Sequence, residues 1–102
     1  MNKDQGLAAV VEIESLIKGF GSPNDQALRR LKSLVSSLRY SSRNDGYFRE
    51  KLGSLEVWAD IGFSTRKFAK YSGGADQVRS SALADCMMLK RLIREWPTEE
   101  DF

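Results

Sequence analysis

Residues 76–96 read DQVRSSALADCMMLKRLIREW, and the fold turns on how the apolar positions of this run are spaced. Val78, Ala82, Cys86, Leu89, Ile93 and Trp96 recur at intervals of four, four, three, four and three. That period puts them on one side of an α-helix. Leu83, Met87, Met88 and Leu92 widen the side well beyond a single seam. A helix apolar over so broad an arc packs against more than one neighbour. The run is therefore expected to be the centre of the domain or a subunit interface. Leu83, Met87, Met88, Leu92 and Trp96 are its candidate interface residues.

Working outward, SGG at 72–74 closes the segment before it, and Pro97 stops the helix near Trp96. The first helix is predicted over 4–18, with Leu7, Val10, Ile13, Leu16, Ile17 and Phe20 spaced by threes and fours. GFG at 19–21 ends it, because glycine accepts the left-handed turn after a helix. The second is predicted over 23–40. SPND at 22–25 offers Ser22 as N-cap, Pro23 at the first helical position and Asp25 three after the cap. Leu28, Leu31, Val35 and Leu38 then form its buried stripe, and Leu34 broadens it.

SSRND at 41–45 is a further turn, with Ser42 and Asp45 in capping spacing. The third helix is predicted over 45–71, with Phe48, Leu52, Leu55, Ala59 and Gly62 on one stripe. Gly53 and Gly62 inside it mark close helix contacts or, at Gly62, a break. The last helix is predicted over 76–96, followed by a short acidic tail, 97–102. The expected fold is all-α: one domain over 1–102, a compact four-helix bundle, mostly antiparallel because the loops are short. Its last two helices form a C-terminal αα-hairpin.

Composition narrows the chemistry. The chain has 102 residues, 41% of them hydrophobic, enough for one small core. Histidine is absent, which removes Ser-His and Cys-His catalysis and most transition-metal sites. Cys86 is the only cysteine and falls on the buried stripe of the last helix. A lone cysteine excludes an intramolecular disulfide and points to a reducing compartment. The N-terminal run is broken by Glu12 and Glu14, unlike a signal peptide. No stretch approaches the roughly 20 apolar residues of a membrane span. A cytoplasmic protein with no membrane partner is expected.

Acidic residues give weak candidates. Glu56 and Asp60 are one turn apart and share a helix face, the geometry of a Mg²⁺ or acid–base pair. Asp85 is the interior acid that could complete it, and Arg49 or Arg66 its expected partner. A solvated face explains Glu56 and Asp60 as well. Phosphate loops of the Walker or Rossmann type are absent. No cofactor, no metal and no catalytic residue is assigned.

Net charge is +2, but unevenly placed. Residues 24–43 hold Arg29, Arg30, Lys32, Arg39 and Arg43 against Asp25 alone. Residues 95–102 hold Glu95, Glu99, Glu100 and Asp101 with no base. Arg29, Arg30 and Arg39 are candidate phosphate contacts of a nucleic acid or nucleotide.

A second basic group lies in STRKFAKYSG, 64–73, where Ala69 and Gly73 stand four apart. This segment resembles the helix-turn-helix of bacterial repressors over roughly 20 residues, 64–83. The resemblance implies DNA backbone contacts from Arg66, Lys67 and Lys70, and base contacts near Arg79. The second half departs from the pattern. Gly74 stands where an apolar residue packs the turn, and Val78 comes one residue before the usual anchor, Arg79. One residue of misfit turns the reading face by about 100°. Met87, Leu89 and Arg91 also match a Met-x-Leu-x-Arg run in small phage proteins that sequester cyclic-nucleotide signals. Three residues do not name a family, but they add an oligomeric binder of a small phosphate ligand to the alternatives. The reading favoured by the sequence is a non-enzymatic interaction protein, a regulator, inhibitor or adaptor. It binds a protein partner and self-associates, and nucleic acid is the alternative partner.

Overall fold

A computed structural model describes residues 2–41, 46–63 and 74–96, the side chain of Ala75 excepted. Within them four helices form: α1 (Lys3–Ile17), α2 (Asp25–Ser41), α3 (Gly46–Gly62) and α4 (Gly74–Arg94). No strand occurs among the described residues. The third helix stops at Gly62. The rest of its expected run, 64–71, lies outside the described residues, as do Ser42, Asp45 and the tail 97–102.

The starts of α1 and α2 are set by asparagine. Asn2 caps α1: its side chain accepts from the Gln5 amide, and the Gln5 side chain accepts from the Asn2 amide. This reciprocal box satisfies two donors that a helix start leaves open. The expected cap of α2, Ser22, is corrected to Asn24. The Asn24 side chain accepts from the Ala27 amide at 3.0 Å, and its carbonyl accepts from Leu28. Pro23 thus precedes the cap, where its missing N–H and fixed φ cost the helix nothing.

Each helix turns its stripe to a shared core. Val10, Ile13 and Ile17 come from α1, Leu31, Val35 and Leu38 from α2, Phe48, Leu52 and Leu55 from α3. Val78, Ala82, Cys86, Leu89 and Ile93 of α4 are fully buried among them. Burying one such aliphatic side chain stabilises by about 1.5–3 kcal/mol, before the entropy of ordering is counted. Helix α1 packs on α2 and α4, and α3 packs on α2 and α4. The broad arc of α4 is explained by its contacts with both α1 and α3.

The connection after α1 is clamped to α3. Gly21 takes the left-handed turn, at φ 105°, and its amide donates to the Gly62 carbonyl at 2.7 Å. The Phe20 ring lies directly on Gly62, where a Cβ would stand 2.3 Å from the ring. Phe63 meets Phe20 edge-on, 4.9 Å between centroids. Gly62 is therefore a close contact, and it is also where α3 ends. Gly53 has open space around its Cα and marks no contact.

Candidate functional site

Among the described residues, five cation–carboxylate pairs join one helix to another. Arg30 of α2 grips Glu12 of α1 through two hydrogen bonds. Arg39 of α2 pairs with Glu56 of α3, and Lys32 of α2 with Asp60 of α3 at 2.9 Å. Lys51 of α3 lies 3.7 Å from Asp85 of α4. Lys90 of α4 meets Glu14 of α1 at 3.0 Å. Each pair of packed helices thus carries at least one cation–carboxylate contact along its seam. Exposed pairs add little stability individually, but opposite charges flanking a seam favour the right neighbour over a wrong one.

This arrangement changes the reading of the basic face on α2. Arg30 and Arg39 each hold a carboxylate of the chain itself, and a phosphate would have to displace it. The Arg30 guanidinium holds the Glu12 carboxyl below its usual 4.5, chiefly by hydrogen bonding, and Glu12 raises Arg30 in turn. Arg29 is exposed on the same helix. Arg79 donates to the Phe20 carbonyl at 2.6 Å and to Asp76 at 3.3 Å, which turns it toward the α1–α2 connection. Arg66, Lys67 and Lys70 lie outside the described residues, and with them the first half of the helix-turn-helix resemblance.

The acids do not converge. Glu56 and Asp60 both face α2, whereas Asp85 is held on the α4 side of α3. No group of three or more metal-ligating side chains occurs among the described residues. Asp85 is buried and accepts from the Ser54 hydroxyl at 2.5 Å, with Lys51 as its cation. These partners replace the expected Arg49, and Arg66 lies outside the described residues. Arg49 sits about 200° around α3 from Lys51, and it is Lys51 and Ser54 that reach Asp85. The sequence did hold a signal for this pair: Lys51 and Ser54 are three apart, beside the buried stripe.

Cys86 is fully buried. Burial pushes its thiol up to about 12, with the Glu14 and Asp85 charges adding to the effect. A thiol so placed is protonated near neutral pH and is a packing group.

Comparison with protein-family models, curated proteins and solved structures finds no match to this chain. No helix among the described residues is long and apolar enough to cross a membrane.

Of the five candidate interface residues on and just after α4, Leu83, Leu92 and Trp96 are partly buried against the chain's own core. Met88 is half-buried, and Met87 is 67% exposed. On the neighbouring helix Val11 is 56% exposed. Val11, Glu14, Ser15, Lys18 and Leu83 line one groove of about 450 Å³ between α1 and α4. Met87 follows Leu83 by one helical turn. Sequence periodicity could not find Val11, because Val10 beside it already fills the core position.

Proposed function

We propose that the chain is a small non-enzymatic interaction protein, a regulator, inhibitor or adaptor, that works by binding a macromolecular partner and associates with itself. The observation that carries this reading is the apolar strip along α1 and α4. Val11 and Leu83 share one groove, and Met87 continues it by a turn. A single exposed aliphatic residue is ordinary; a contiguous strip rimmed by charge is the usual mark of a binding surface. At its edge Glu14 and Lys90 are paired with each other, and Lys18 lines the same groove as a charge that a partner can meet.

The reading takes the helices as an antiparallel bundle with α3 and α4 as an αα-hairpin. Its support is the order of contacts. Lys32 and Arg39 rise along α2 as their partners Asp60 and Glu56 fall along α3. The end of α1 meets the start of α4 through Phe20 and Arg79, and its start meets the end of α4 through Gly6 and Trp96.

Multi-angle light scattering tests the function. Wild-type protein is expected to show a dimer or larger species at high concentration, and Met87→Glu to weaken it. A strictly monomeric wild type overturns the proposal.

A further inference from the structure

We propose that the outer face of α1 is the contact surface for a second copy of this chain, laid antiparallel about a two-fold axis at Val11. The inference rests on the self-association read above and names its geometry.

Helix α1 has two faces. One is buried: Gly6, Ala9, Val10, Ile13 and Ile17. The other is Asp4, Ala8, Val11, Ser15 and Lys18, all exposed. Their spacing of four, three, four and three is that of a helix–helix seam. Val11, the large apolar group of this face, stands at its middle. Ala8 and Ser15 on either side are small, so a second helix can come close without displacing long side chains.

Charge then selects the partner and its direction. Asp4 lies seven residues before Val11 and Lys18 seven after it. In an antiparallel pair centred on Val11, Asp4 of each copy faces Lys18 of the other, and Val11 faces Val11. A parallel pair would set aspartate against aspartate and lysine against lysine. An isologous contact needs this self-complementarity, with each patch serving as its own partner. Leu83 shares a groove with Val11 and Lys18, so α4 extends the apolar centre on one side.

Asp4 in the first turn and Lys18 at the C-cap also suit the helix dipole, a role that needs no second copy. The two roles separate by experiment, because the dipole acts within one chain and the proposed contact acts between chains. One helix face covers less than the roughly 800 Å² per partner of a standard interface. The association is accordingly weak, with a Kd of roughly 10 µM to 1 mM.

The test is sedimentation equilibrium of the full chain up to about 1 mM at low salt, where exposed charges are least screened. Thermal melts followed by circular dichroism establish that each variant is folded. Wild type is expected to dimerise, and Val11→Glu to abolish the dimer. Asp4→Lys and Lys18→Asp should each weaken it about tenfold, since two attractive pairs become repulsive. An equimolar mixture of those two variants should dimerise again, because every lysine then faces an aspartate. A dimer unchanged by Val11→Glu, or a mixture no tighter than either variant alone, overturns this geometry and leaves self-association standing. A monomer at about 1 mM overturns both.

Discussion

One aromatic ring sits on a helical glycine at each end of α1, and the two contacts differ. At the far end Phe20 covers Gly62 of α3; at the near end Trp96 covers Gly6 of α1 itself. A Cβ added at Gly62 would meet the Phe20 ring at 2.3 Å, and one at Gly6 would meet Trp96 at 3.0 Å. Phe20 is fully enclosed, wedged by Phe63, with its own carbonyl bound by Arg79 and the next amide bound to Gly62. Trp96 is half-buried beyond the last residue of α4, touching Phe48 at 5.6 Å between centroids. The first ring is tied on every side and behaves as a rigid wedge. The second is half-buried between Gly6 and Phe48 and has room to yield toward solvent.

Substitution should expose that difference, the largest effect first. Phe20→Ala is expected to lose about 3–5 kcal/mol in urea denaturation, the cost of a large core cavity. A loss below about 1 kcal/mol would show that the ring is not a wedge. Gly62→Ala should lose about 1–3 kcal/mol by overpacking, although alanine is the better helix former by roughly 1 kcal/mol. In the Phe20→Ala background the same Gly62→Ala change should cost nothing. Simple additivity of the two would break the interpretation, since contacting residues must couple. Arg79→Met should lose about 1–2 kcal/mol, because it strips a charged donor from the Phe20 carbonyl. An unaltered stability there would confine the wedge to the ring contacts.

The two ends also differ in how far the sequence disclosed them. The apolar intervals of α4 gave its core positions directly, and all of Val78, Ala82, Cys86, Leu89 and Ile93 are buried. GFG marks the end of α1, and Gly62, a glycine inside the buried stripe, marks a close approach. What periodicity could not supply is which ring approaches: Phe20 follows α1 and falls on Gly62 only through the turn at Gly21. The pattern Ser22-Pro23 points to Ser22 as the α2 cap, because proline so often follows a cap. Asn24 caps the helix because its side-chain Oδ1 accepts from the Ala27 amide. Partner choice among charges was the least legible part. The period of a helix fixes a residue's angle, but Asp85 finds Lys51 and Ser54 only through the rotation of α3 against α4. The exposed face of α1 was hidden for a related reason. Val10 and Val11 are equally apolar, and only packing tells which one the core takes.

Smaller effects are expected away from the wedge. Gly6→Ala should change stability by less than about 0.5 kcal/mol, as the gain in helix propensity offsets a slight displacement of Trp96. A loss comparable to that of Gly62→Ala would make the two ends equivalent and end the contrast.

The subtlest test lies between the ends, where Arg30 ties α1 to α2 through Glu12. Glu12 is held below its usual 4.5 by that contact. A carboxyl depressed in the folded state binds its proton less readily than in the unfolded chain. The pair therefore stabilises fully above about pH 5 and loses its effect as pH falls through the folded value. Arg30→Ala should lower the urea midpoint slightly near neutral pH, by less than any loss above, and should converge on wild type as pH falls below the depressed Glu12 value. Nuclear magnetic resonance titration of the Glu12 carboxyl in the variant should show its midpoint rising toward the ordinary value. A difference between variant and wild type that persists unchanged into acid would mean that Arg30 acts through its packed aliphatic stem. The middle of α1 would then be held by contact, as its ends are, and not by charge.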